Sequence, residues 1–119
     1  MILHLRLVVT PLFRTGAAIR TPLWAVVEGS DLYVRSAYGQ TSHWYQRIRK
    51  NPTGSVHVDA FHLAIRAVPV TDPDVISRVN NAYLQKYQHV SYARSIVEPA
   101  ILSTTLRLEP VSKETTIHT

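Results

Sequence analysis

Apolar and polar residues alternate from the start of the chain. Leu3, Leu5, Leu7 and Val9 fall on one face and His4, Arg6 and Val8 on the other, which predicts a half-buried strand. Pro11 ends it, and 12–21, with Gly16 and two arginines, reads as a loop. Residues 23–28 and 32–36 read as a hairpin about Gly29-Ser30, with glycine where a type II′ turn needs positive φ. Leu32 and Val34 then face one side, and Tyr33 and Arg35 the other. A short helix is predicted over 42–50, capped by Thr41 or Ser42 and stopped by Asn51-Pro52. A second hairpin pairs 55–59 with 61–70 and puts Phe61, Leu63, Ile65 and Ala67 toward a core. Asp72-Pro73-Asp74 starts a helix with an N-cap, a first-turn proline and a carboxylate for the dipole. Its stripe is Val75, Val79, Ala82, Tyr83, Lys86 and Tyr87. A further helical piece over 92–97 precedes Pro99, and a strand over 104–108 turns Leu106 and Leu108 inward. The order predicts a mostly β, α+β domain over 1–110, an antiparallel barrel with helices outside it, and a polar tail over 111–119.

Composition narrows the picture. The chain has 119 residues, enough for one domain that buries about 65% of its unfolded surface. No apolar run approaches the ~20 residues of a membrane span, and the first residues lack the pattern of a signal peptide. A bacterial cytoplasm is the expected address. The absence of cysteine excludes disulfides, thiolate catalysis and cysteine–zinc sites. A net charge of +5 favours anionic partners, with a plain basic surface as the alternative.

Candidate chemistry lies in segments expected to interrupt the strands. Arg14, Thr15 and Gly16, then Arg20 and Thr21, then Ser36, Tyr38 and Gly39, offer guanidinium, hydroxyl and close-approach backbone, which together suit a phosphate. Ser42 is either a plain N-cap or the head of a helix whose N–H groups take an anion. Trp44 and Ile48 share a helix face, so core packing is the default for both. Lys86, beside Tyr83 and Tyr87, either snorkels over apolar surface or meets a phosphate or ring edge. His57 and His62 would oppose each other if Asp59-Ala60 is a two-residue turn, but no third ligand accompanies them and no metal is expected. No triad or paired-carboxylate signature is present.

Arg14-Thr15-Gly16, Arg20-Thr21-Pro22-Leu23, Tyr33-Val34-Arg35-Ser36, Gly39, Trp44-Tyr45 and Asn51-Pro52 carry a resemblance. Over about 8–58 the chain resembles the flavin/deazaflavin-dependent oxidoreductases, which share the split antiparallel β-barrel of pyridoxamine-phosphate oxidase. The resemblance implies a flavin-binding barrel of that type. It implies FMN or a deazaflavin with its phosphate or tail on Arg14, Thr15, Gly16, Arg20 and Thr21. Ser36, Tyr38 and Gly39 would lie along the ring or ribityl chain, with Ser42, Trp44 and Lys86 as further candidates near the cofactor. The chain departs from the family pattern at Ile19, Gln40 and His43.

Two functions follow from the resemblance. One is a flavin- or deazaflavin-dependent oxidoreductase that moves hydride to or from a small molecule, the cofactor supplying the chemistry. The other is a non-enzymatic protein that holds a cofactor or planar anion on the same barrel. A continuous basic stripe is missing, so nucleic acid is not an expected partner. A homodimer is expected, because related flavin proteins complete their sites across a two-fold interface.

Overall fold

The computed structural model describes residues 4–9, 19–58, 61–88 and 93–111, with side chains described for 23–56, 63–88 and 95–111. The strands are β1 (His4–Val9), β2 (Ile19–Glu28), β3 (Asp31–Val34), β4 (Thr53–Val58), β5 (Phe61–Pro69) and β6 (Leu106–Pro110). The helices are α1 (His43–Lys50), α2 (Pro73–Lys86) and α3 (Pro99–Leu102), with 3-10 turns at Gly39–Thr41 and Ala93–Val97. All pairings are antiparallel, in the order β1-β2-β3-β6-β5-β4, and β4 pairs back onto β1. The α+β class and the antiparallel sheet agree with the pattern in the sequence, and α2 packs on the outer face as expected, whereas α1 packs on the inner face.

β2 changes partner along its length. Its first part, to Trp24, pairs with β1, and from Ala25 onward it pairs with β3. Pro22 falls on the part opposite β1, where the strand's other edge has no register partner among the described residues, so its missing N–H is tolerated. This corrects one expectation. Arg20 and Thr21 belong to a strand, opposite Val8 and Leu7, and not to a loop. Proline inside the run hid the strand start, because proline ordinarily demotes a strand.

The sheet has apolar packing on both faces. Inside it, Leu23, Ala25, Val34, Val56, Ile65, Ala67, Leu106 and Leu108 pack with Trp44, Tyr45 and Ile48 of α1. Those three α1 residues lie on one helix face, which plugs the sheet's interior. Outside it, Val26 and Tyr33 pack with Val70, Val79, Tyr83, Tyr87, Ile96 and Ile101. α2 is held onto β2 by its own polar tips. Tyr83 donates to the Trp24 carbonyl at 2.8 Å, and Lys86 and Tyr87 donate to the Ala25 carbonyl at 2.6 and 3.0 Å. These carbonyls sit where β2 passes from β1 to β3.

Several boundaries differ from the sequence reading. The last strand runs Leu106–Pro110, with Thr104 and Thr105 buried in the turn before it. Leu63 shares the inward phase of Ile65 and Ala67 but is 42% exposed. The turn at Gly29 has φ +65, as that hairpin requires, and Asp72 caps α2 by accepting from the Asp74 N–H at 2.9 Å. His57 and His62 are register partners. The loop 12–18, the turn Asp59-Ala60, Tyr92 and the tail 112–119 lie outside the described residues.

Candidate functional site

β3 ends at Val34, and the chain then enters a loop pinned by two adjacent threonines. The Ser36 N–H donates to Thr104 Oγ1 at 2.9 Å, and Thr104 donates onward to the Ile101 carbonyl at 2.6 Å. Arg35 Nε donates to Thr105 Oγ1 at 2.8 Å, and Thr105 donates to the Leu102 carbonyl at 2.7 Å. Ser36 and both threonines are fully buried. The loop's start is therefore fixed to the end of α3 by two parallel hydroxyl relays.

The rest of the loop closes on itself. Ser36 Oγ donates to the Gly39 carbonyl at 2.6 Å, and the Gly39 N–H donates to the Ser36 carbonyl at 3.0 Å. Ser36 and Ser42 hydroxyls lie 2.9 Å apart. Because the Ser36 proton goes to Gly39, Ser42 is the donor of that pair. Ser42 caps α1 by position, yet its side chain makes no capping bond to the helix. The amides of the first turn are thus left for another acceptor, at the positive end of the helix dipole. Gly39 has φ +79, and no atom comes within 4 Å of where a β-carbon would stand. The glycine serves the backbone conformation and leaves the loop open to a ligand's close approach.

Ser36, Gly39 and Ser42 are the predicted residues that the structure brings together. Tyr38 is on the same loop with its ring 85% exposed. Trp44 follows in α1, but its side chain is buried in the inner core, edge-on to Tyr45 with ring centroids 5.9 Å apart. Lys86 lies on α2, its ammonium bonded to the Ala25 carbonyl and 5.2 Å from the Tyr87 ring centroid. Burial holds that ammonium below the usual lysine range. Arg20 and Thr21 are placed on β2 by register alone. Arg14, Thr15 and Gly16 lie outside the described residues.

Sequence reasoning missed Arg35. It is 2% exposed and donates from all three nitrogens, to Thr105, to the Ile96 carbonyl at 3.1 Å and to the Ile76 carbonyl at 3.3 Å. Its guanidinium lies over the Tyr83 ring, 5.3 Å from the centroid. Burial lowers its pKa to about 10, the reverse of what a carboxylate partner would do. The available signal was its alternation with Tyr33, which put it on the same face as a core tyrosine.

This geometry sits in a chain whose residues 6–108 match the family described as "Uncharacterized protein conserved in bacteria (DUF2255)". The chain belongs to that family. Among solved structures, the DUF2255 chain is similar to the "Putative Pyridoxamine 5'-phosphate oxidase" from Listeria innocua. The TM-score is 0.64 at 13% identity, over 94% of this chain and 86% of that one. It is also similar to the conserved hypothetical protein Rv2991 from Mycobacterium tuberculosis, with a TM-score of 0.61 at 15% identity over 92% of this chain and 72% of that one. At these identities the likeness is one of fold, that of the pyridoxamine 5'-phosphate oxidase-like proteins. The family shown is DUF2255; the comparisons support the pyridoxamine 5'-phosphate oxidase-like fold and do not show membership of the flavin/deazaflavin-dependent oxidoreductases. No curated protein matches the chain in sequence. No helix among the described residues is long and apolar enough to cross a membrane.

Proposed function

We propose that the protein binds a phosphorylated flavin-type cofactor, FMN or a deazaflavin, and acts with it as an oxidoreductase on a small molecule. The observation that supports this is the loop 36–42. A part-buried hydroxyl pair, the buried Ser36 with Ser42, shapes it, Gly39 opens it, and it delivers the uncapped first turn of α1. Such amides and such a glycine suit a phosphate. The fold likeness makes a split, flavin-binding barrel the natural frame.

In this reading Gly39 and the first-turn amides of α1 hold the phosphate, together with Arg14, Thr15, Gly16, Arg20 and Thr21. The exposed Tyr38 ring lies against the cofactor's planar part. Trp44 supports α1 from the core, and Lys86 fixes α2, so both act through position. When bound, the flavin or deazaflavin supplies hydride chemistry that no side chain offers. The site works as a two-fold homodimer, so light scattering should give about twice 13.4 kDa.

The loop itself carries no acid or base, which keeps a non-enzymatic cofactor carrier as the second reading. The test is spectroscopic. Purified protein is titrated with FMN and with the deazaflavin, and bound complex is assayed for turnover of reduced cofactor. Binding with turnover supports the oxidoreductase. Binding without turnover selects the carrier, and no binding of either removes both.

A further inference from the structure

We infer a second anion site at the opposite end of α1, one that takes a phosphate monoester carrying a small apolar body. A pocket of about 220 Å³ is lined by Arg49 and Arg66 together with Ile48, Pro52, Ala67, Val68 and Pro69. None of Ser36, Gly39 or Ser42 lines it. Seven residues of helix separate Ser42 from Arg49, about 10 Å along the axis. The volume is below the range of roughly 300–1,000 Å³ usual for whole ligands, so it fits a head group and not a flavin.

Two arginines in an otherwise apolar lining set the chemistry. Arg49 comes from the last turn of α1 and Arg66 from β5, both exposed. Cations at a helix C-terminus complement its dipole, which accounts for Arg47, Arg49 and Lys50. It does not account for Arg66. The cross-strand neighbours of Arg66 are Thr53 on β4 and Glu109 on β6, and the Glu109 carboxylate pairs with Arg107, Nη2 to Oε2 at 2.9 Å. Among the described residues no ion pair involves Arg49 or Arg66. The pocket's walls are preformed. Pro52 and Pro69 have fixed φ, and the Ala67 N–H donates to the Pro52 carbonyl at 2.7 Å, tying the α1 exit to β5. Arginines from two elements line one cleft, two planar forks suit a phosphate dianion, and Ile48, Ala67 and Val68 favour an apolar substituent beside it.

The probe is phenyl phosphate, followed by titration calorimetry on the full chain. Wild type should bind it several-fold tighter than inorganic phosphate and should not bind phenol. Arg49→Gln and Arg66→Gln should each weaken binding about tenfold, with thermal melts showing each variant folded. Arg66→Lys, which keeps the charge and loses the fork, should fall between. Arg47→Gln and Lys50→Gln should leave binding unchanged. Equal losses from Arg47→Gln or Lys50→Gln would mark a diffuse cationic helix face, and no binding by wild type would remove the site. Either result overturns the inference.

Discussion

Arg35 and Tyr83 form a buried cation–aromatic contact, with the guanidinium carbon 5.3 Å from the ring centroid. The pair joins three parts of the molecule. Arg35 leaves β3 at the mouth of the 36–42 loop, Tyr83 belongs to α2, and the arginine's other bonds reach the 3-10 turn before α3 and Thr105 before β6. A buried cation without a carboxylate is costly unless its nitrogens are hydrogen-bonded. Here Nε, Nη1 and Nη2 each find an oxygen.

Arg35→Lys should therefore be poorly tolerated despite keeping the charge. One ammonium on a flexible stem cannot replace a fork whose three nitrogens point to three carriers. The expected loss is about 2–3 kcal/mol in urea unfolding. A loss within about 0.5 kcal/mol, as for an ordinary surface change, would mean the arginine is incidental.

Tyr83 and Tyr87 should resist ionisation. Burial raises both phenols above their usual value, Tyr83 far more, with the Arg35 charge opposing it only in part. In folded protein at pH about 11, where a free phenol is mostly tyrosinate, Tyr83 should remain protonated, and Tyr87 should ionise later than a free phenol. Each phenol's contribution to stability is complete below pH about 10 and is lost as pH rises above it, because unfolding then releases its proton. The lowered values of Arg35 and Lys86 act in the opposite sense over the same alkaline range. Tyrosinate absorbance should rise in a step at alkaline unfolding. Tyr83→Phe with Tyr87→Phe should remove that step's share for two of the six tyrosines. A smooth titration of all six before unfolding would contradict the burial.

Lys86→Met should cost about 1 kcal/mol, the worth of one hydrogen bond to the Ala25 carbonyl, while keeping the apolar stem over Tyr87. Flavin affinity should not change. A drop in affinity with unaltered stability would return Lys86 to the cofactor.

Much of the fold was legible because the inner face follows simple periodicities. Ile65 with Ala67, and Leu106 with Leu108, alternate as strands do, and Trp44 with Ile48 repeat as a helix does. The outer core was less so. Arg35 is polar in type and buried by context, and nothing local announces that Thr105, 70 positions later, will accept from it. The site was half legible. Ser36, Gly39 and Ser42 stood out as small residues in a loop, but the Ser36–Ser42 hydroxyl pair, which withdraws Ser42 from capping, exists only in three dimensions. Arg49 and Arg66 do not stand out in the sequence, because a helix end and a strand meet there only after folding.

The central claim is that the 36–42 loop holds the phosphate of a flavin-type cofactor. FMN and riboflavin differ in that phosphate alone, so quenching of their fluorescence on wild type and Gly39→Val tests it most directly. At φ +79 a β-branched residue is strained by about 1–3 kcal/mol and would turn the backbone at Gly39 away from a phosphate. Wild type should bind FMN at least tenfold tighter than riboflavin. Gly39→Val should bring FMN down to the riboflavin level and leave riboflavin nearly unchanged. Equal affinity of wild type for the two flavins, or equal losses for both in the variant, would contradict the account.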